Sequence, residues 1–231
     1  MKTLIIIPAY NEQDNIVKVT QNLKENYPQY DYIVINDGSS DNTENMLESN
    51  NIPHISLIRN LGIGGAVQTG YKYAEKMKYD AAVQFDGDGQ HDAAYIEKLI
   101  AELNSGFDMV IGSRFIKSEE SEFKSSAARR AGIRIISALI KILTGKRIYD
   151  PTSGFRACNK AVISHFASNY PTEYPEPVSE VTALKLKFKI SETPVNMHER
   201  QGGRSSIHTW KSIYYMINVT LAMILESLKR Y

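Results

Sequence analysis

The sequence predicts an α/β protein built on a doubly wound, mostly parallel sheet, and three observations carry that expectation. Short apolar runs recur through the first half of the chain, at Leu4–Ile7, Tyr32–Ile35, Ile55–Ile58 and Ala82–Phe85. Each run leads into polar, turn-forming residues and then into apolar residues at helical spacing, the alternation of βαβ units. The polar residues gather where each run ends, which in such a sheet is the crevice where ligands bind.

Taken in order, the first run ends at Pro8-Ala9-Tyr10-Asn11-Glu12, and the helix after it aligns Ile16, Val19 and Leu23. Asn11 or Asp14 is available to cap that helix. The second run ends in Asn36-Asp37-Gly38-Ser39-Ser40-Asp41, with a short helix expected from Thr43. The third ends in Arg59-Asn60-Leu61-Gly62-Ile63-Gly64-Gly65, ahead of a helix over Ala66–Met77. That glycine loop has neither dinucleotide spacing nor the Lys-Ser/Thr of a phosphate loop, so alone it says little about nucleotides. The fourth run passes into Asp86-Gly87-Asp88-Gly89-Gln90-His91. A helix over Tyr95–Leu103 and a strand over Met109–Gly112, ending in Ser113-Arg114, follow.

The second half reads differently. Ala127–Leu143 is helical, with Ile136, Leu139, Ile140 and Leu143 on one face and Arg130, Arg134, Ser137 and Lys141 on the other. A basic amphipathic helix is commonly a solvated face, and it also suits an anionic membrane surface. Asp150-Pro-Thr-Ser-Gly-Phe-Arg156 is a turn entering a short strand. Tyr170–Pro177 reads as an irregular loop, Val181–Leu186 as a short helix and Ile190–Val195 as an edge strand. The loop His198–Ser206 carries Arg200 and Arg204 and is either a plain surface loop or one that closes over phosphates. Ile213–Leu228 is apolar but shorter than a bilayer span. It is expected to be an amphipathic helix in the membrane interface or against a small membrane-protein partner.

Composition sets the bounds. A chain of 231 residues, 42% hydrophobic and 23% charged, is an ordinary globular protein with room for one large core. A net charge of +1 gives no argument for nucleic acid. Cys158 is the single cysteine, which rules out an intrachain disulfide and marks it as a core thiol. Four apolar residues before Pro8 are too few for a signal-peptide core, so the catalytic face is expected in the cytoplasm.

The chemistry concentrates at Asp86 and Asp88. D-G-D-G is a common turn composition, yet here it ends a buried-type strand. Two acids two residues apart repel unless a cation lies between them, and hard oxygen donors suit Mg²⁺ or Mn²⁺. The convergence of the other loops on that sheet edge favours the metal reading over the plain turn.

These motifs resemble family 2 glycosyltransferases of the GT-A fold, a Rossmann-like, mostly parallel sheet flanked by helices. The resemblance rests on Pro8–Glu12, Asp37-Gly38-Ser39, Asp86–His91, Gly112-Ser113-Arg114 and Ser153-Gly154-Phe155-Arg156, and it is nearest to the polyprenyl-phosphate hexose synthases. It implies a catalytic domain over 1–210, divided into a nucleotide-sugar half (1–115) and an acceptor half (116–210), with a membrane-associating helix over 211–231. Pro8, Ala9, Tyr10, Glu12, Asp37 and Gly64 would hold the nucleotide. Asp86, Asp88 and Gln90 would hold the metal on its diphosphate. Arg114, Arg130 and Ser153 would face the acceptor phosphate, with Arg129 or Arg134 as substitutes and Arg200 or Arg204 closing from above. The chain departs from the family at Asn36, where many members carry an acid, and at Val178, where many carry Glu; Glu176 and Glu180 stand on either side.

The nucleophile decides what else is needed. A sugar hydroxyl requires a base, for which Asp150 or Glu180 is the candidate. A lipid phosphate is already anionic near neutral pH and requires placement by arginines. The leading expectation is transfer of a hexose from a UDP-sugar to undecaprenyl-type phosphate at the inner membrane face, with inversion. The alternatives are a soluble transferase acting on a saccharide hydroxyl and a silent nucleotide-binding subunit of a membrane complex.

Overall fold

The computed structural model describes residues 1–116, 127–197 and 209–229. The first strand, β1 (Thr3–Ala9), sets the layering. Its Leu4 and Ile6 enter one buried cluster while Ile5 and Ile7 enter another, so both faces are covered, the burial that a central parallel strand requires. β2 (Asp31–Asn36) and β4 (Ala81–Gln84) flank β1 in parallel, and β3 (His54–Ser56) pairs beyond β2. With β5 (Met109–Ser113), β6 (Arg156–Asn159) and β7 (Ile190–Pro194) they form a seven-stranded sheet of order β3-β2-β1-β4-β6-β5-β7. β6 runs antiparallel to both β4 and β5. Because Gln84 pairs with Arg156, the residues just before β6 lie beside the end of β4, where Asp86 follows.

Helices α1 (Ile16–Asn26), α2 (Thr43–Ser49) and α4 (Ile96–Asn104) cover one face through Ile16, Leu47 and Leu99. The other is covered by α3 (Gly62–Lys76), α5 (Ala127–Thr144), α6 (Lys160–Ser168), α7 (Pro175–Lys185) and α8 (Thr209–Leu228). Tyr71, Ile140, Phe166, Val181 and Met223 supply their contacts to that core. Cys158 is buried there, as a core thiol should be, and burial pushes its pKa up to about 11.

Four expectations change. Neither Asn11 nor Asp14 caps α1: Asn15 holds the cap position without a side-chain bond. Asn11 instead takes a left-handed turn (φ 56°) and its Oδ1 accepts from the backbone N–H groups of Ser40 and Asp41 at 2.9 and 3.3 Å. The glycine loop is the first turn of α3, not a loop ahead of it. The irregular stretch ends early, because Pro175 and Pro177 begin α7, where a missing N–H is harmless. Finally, α8 is apolar on the side turned outward. Tyr214, Ile217, Leu221, Leu225 and Leu228 are exposed, whereas Glu226 is buried and accepts from Thr182 Oγ1 at 2.7 Å. Among the described residues no helix is long and apolar enough to cross a membrane.

Between sheet and α7 lies a buried guanidinium. Arg156 is fully enclosed; its Nη1 donates to Ser179 Oγ at 2.9 Å, and its Nη2 to Ser153 O at 2.6 Å and Glu180 Oε1 at 3.3 Å. Burial holds the Glu180 carboxyl well above its usual range against the pull of Arg156. Removing one partner of such a pair strands the other charge. Arg156→Ala is therefore expected to destabilise the fold by about 3–5 kcal/mol, read as a lower urea midpoint. The double change Arg156→Met with Glu180→Leu should recover most of that loss.

Candidate active site

The carboxyl ends of β1, β2 and β4 open on one cleft of about 580 Å³. Pro8, Ala9, Tyr10 and Glu12 line it from β1, and Asp37 from β2. Asn60, Gly62, Ile63 and Ala66 add the wall from the start of α3. The Asp37 backbone N–H donates to Ala9 O at 2.9 Å, and its Oδ1 accepts from Leu61 N–H at 2.7 Å. Asp37 thus ties the three strand ends together, through its backbone to β1 and through its carboxylate to the segment after β3. Burial raises its pKa, while the Leu61 and Gly62 amides pull it back. Gly38 makes the turn possible: it has φ +62°, and a Cβ there would lie 2.7 Å from the backbone at Arg59 and Asn60.

Asn36 meets an acid from α2. Its amide and the Ser56 hydroxyl both donate to Glu44 Oε2. The Ser56 hydrogen bond leads the causes that lower the Glu44 pKa.

Asp86, Gly87 and Asp88 form the floor. Asp86 donates its backbone N–H to His91 Nδ1 at 3.0 Å, which leaves the His91 proton on Nε2, 3.5 Å from Asp86 Oδ2. The His91 ring stacks on Phe155 at 4.8 Å. Burial lowers its pKa to about 4, so it is a neutral donor near pH 7. His91 thus orients Asp86. Asp88 Oδ1 accepts from Gln90 N–H at 3.0 Å. Gln90 is beside the cleft lining, and its backbone supports Asp88.

The residues present fit a divalent ion. Asp86 and Asp88 are hard oxygen donors in the same cleft, and Gly154 leaves the space beside them open. A Cβ at Gly154 would lie 3.2 and 3.3 Å from the Asp86 oxygens and 2.9 Å from Gln84 Nε2. Among the described residues no three His, Cys, Asp or Glu gather to hold an ion unaided. Two acids with phosphate and water completing the shell is the habit of Mg²⁺ and Mn²⁺.

The acceptor side departs further from expectation. Asp150 is fully buried: its Oδ2 accepts from Arg114 N–H and Nε at 2.9 and 2.7 Å, and its Oδ1 from Arg114 Nη2 at 2.7 Å. Held this way, it positions Arg114 and is not placed to take a proton from a substrate. Glu180, enclosed with Arg156, is likewise out of reach. Ser153 faces inward, donating to Gly112 O at 2.6 Å, not toward an acceptor. Gly64 is a packing residue: a Cβ there would meet Pro171 O at 2.3 Å and Thr172 O at 2.5 Å. Arg130 and Arg134 line a separate cavity. Arg200 and Arg204 lie outside the described residues.

Thr152 and Glu176 line the cleft as well. Of the two glutamates flanking Val178, Glu176 lines the cleft and Glu180 does not. Burial raises its pKa, Arg156 opposes that rise, and Asp86 adds to it.

A cleft of this construction at this sheet edge defines a GT-A glycosyltransferase. The model for glycosyl transferase family 2 matches residues 4–166, and the chain belongs to that family. It is 30% identical over 247 aligned positions to the UDP-N-acetylglucosamine–dolichyl-phosphate N-acetylglucosaminyltransferase of Methanococcus voltae, covering 96% of this chain and 97% of that one. It is 25% identical to polyprenol monophosphomannose synthase of Mycolicibacterium smegmatis, covering 89% and 81% respectively. Among solved structures, glucosyl-3-phosphoglycerate synthase from Mycobacterium tuberculosis, in complex with Mn²⁺, UDP and phosphoglyceric acid, superposes with a TM-score of 0.74 at 15% identity. It covers 100% of this chain and 80% of that one. The likeness to that structure is one of fold.

Filling the space at Gly154 tests the floor. Gly154→Val is expected to weaken Mn²⁺ binding, measured by calorimetry with a nucleoside diphosphate present, by at least about tenfold (roughly 1.4 kcal/mol). The thermal midpoint should move little.

Proposed function

We propose that this glycosyltransferase is metal-dependent and inverting, and moves a hexose from UDP-glucose or UDP-N-acetylglucosamine to a polyprenyl phosphate such as undecaprenyl phosphate. The single observation that carries this reading is the meeting of Asp37, Asp86 and Asp88 in one cleft. The names of the Methanococcus and Mycolicibacterium relatives, both of which specify prenyl-phosphate acceptors, support the lipid. The neighbour captured with Mn²⁺ and UDP supports the donor and the ion.

Residues 1–115 hold the donor, with the nucleoside against Pro8, Ala9, Tyr10 and Asp37. Asp86 and Asp88 hold the divalent ion, which neutralises charge on the departing diphosphate. A phosphate oxygen of the acceptor attacks the anomeric carbon from the opposite side, that carbon's bond to the diphosphate oxygen breaks, and UDP leaves. No proton has to be removed, which agrees with Asp150 and Glu180 being sealed. Arg114, held rigid by Asp150 and Thr152, orients the acceptor phosphate. Glu176 accepts hydrogen bonds from donor-sugar hydroxyls. Residues 116–210 form the acceptor side, and the outward apolar face of α8 rests on the inner leaflet of the cell membrane or on a small membrane-protein partner there.

The test is transfer of radiolabelled sugar from a panel of UDP- and GDP-sugars to undecaprenyl phosphate, with Mn²⁺ or with EDTA. Lipid-linked product from a UDP-sugar, abolished by EDTA, is expected; donor hydrolysis without lipid product would overturn the acceptor, and no donor turnover would overturn the donor. Glu176→Gln should raise the donor KM about tenfold and leave competition by free UDP within about twofold.

A further inference from the structure

β4 is apolar at Ala81, Ala82 and Val83 and ends on an amide, Gln84, that is 1% exposed. Neither its Oε1 nor its Nε2 has a hydrogen-bond partner. Burying a carboxamide with both groups unanswered is costly, and native structures seldom do it. Gln84 stands where two features of the fold meet. Across the sheet its register partner is Arg156, and opposed residues of an antiparallel pair place their side chains on the same face. Arg156 is fully enclosed; its two Nη groups are bonded and its Nε is not. Toward the cleft, the Cβ that Gly154 lacks would lie 2.9 Å from Gln84 Nε2 and 3.2 and 3.3 Å from the Asp86 oxygens. The amide therefore sits behind the cleft floor, within one water's reach of Asp86. Gly154 is not among the glycines of positive φ, so what its missing side chain provides is space.

We infer that Gln84 is a positioning residue for Asp86: its Nε2 donates to an ordered water beside Gly154, and that water donates to the Asp86 carboxylate. A buried water needs at least two polar partners, and these atoms supply them. Gln84 Oε1 in turn answers the Arg156 Nε–H, directly or through a second water. Hydrogen bonds to a metal-binding carboxylate fix the direction in which it points. His91, bonded to the Asp86 backbone and 3.5 Å from its carboxylate, shares that task with Gln84. The inference rests on Asp86 being a ligand of the divalent ion. It extends the control of that ligand to the buried Arg156–Glu180 pair.

Gln84→Met keeps the length of the side chain and removes both bonding groups. With UDP present, calorimetry is expected to show Mn²⁺ binding about tenfold weaker than in the wild-type protein. The thermal midpoint should be equal or higher, because replacing a poorly partnered amide by an apolar group of the same shape is nearly neutral or stabilising. UDP binding in EDTA should not change. Gly154→Ala fills the same space, and the double variant should bind Mn²⁺ no more weakly than the weaker single one, since both changes remove one water. A crystal structure of the metal-free wild-type protein should show that water between Gln84 and Asp86. Its absence there overturns the inference whatever the variants do. Unchanged Mn²⁺ affinity in Gln84→Met overturns it too, as does a loss matched by lower thermal midpoint and weaker metal-free UDP binding, the mark of a structural role. An altered preference between UDP-glucose and UDP-N-acetylglucosamine at unaltered Mn²⁺ affinity would assign the amide to the donor sugar and overturn the positioning role. Wild-type protein that binds no Mn²⁺ would overturn the metal reading itself, and this inference with it.

Discussion

A guanidinium without access to water must have its charge answered by the protein, and Arg156 imposes that condition on the second half of the fold through its two Nη groups. Its partners lie on two elements: the carbonyl of Ser153 just before β6, and the side chains of Ser179 and Glu180 on α7. Meeting the condition fastens α7 to the inserted strand. The first turn of α7 then carries Glu176 to the cleft, and its third carries Thr182 to Glu226 of α8. One buried charge thus sets the positions of a cleft wall and of the C-terminal helix. Its contribution to net stability is small beside its contribution to geometry, since buried ion pairs recover little more than their own desolvation.

A second ion pair divides labour in the same way. Asp150 fixes the Arg114 guanidinium, and Thr152, which also accepts from it, lines the cleft. The acid that looked like a proton acceptor in the sequence is a brace.

Much of the fold was legible. The four apolar runs and the polar residues at their ends correspond to β1 through β4, and the tapering of the pattern after Arg114 corresponds to the inserted β6. Period and turn chemistry report on local structure, and the parallel half of the sheet is built from local units. What was not legible depended on contacts far apart in the chain. Gly64 was expected to hold the nucleotide, and its reason for being glycine is the 171–172 backbone pressed on it. Ser153 and Asp150 are polar residues in a polar motif, and nothing nearby in sequence says that they face inward. Glu176 and Glu180 differ by a single helical turn, so only the partner of Arg156 separates a cleft residue from a core one. That Glu226 of α8 points inward, to Thr182, likewise depends on α7 and not on its own neighbours in sequence.

The tight seat of Gly64 has a mechanical consequence. The first turn of α3 forms a wall of the nucleotide side, and the chain pressed against it at Pro171 and Thr172 leads within a few residues into Glu176. The two sides of the cleft are therefore joined by a rigid strut, and they cannot drift apart on that edge without losing the contact. Widening the cleft on that edge would therefore cost the close packing of Gly64 on Pro171 and Thr172.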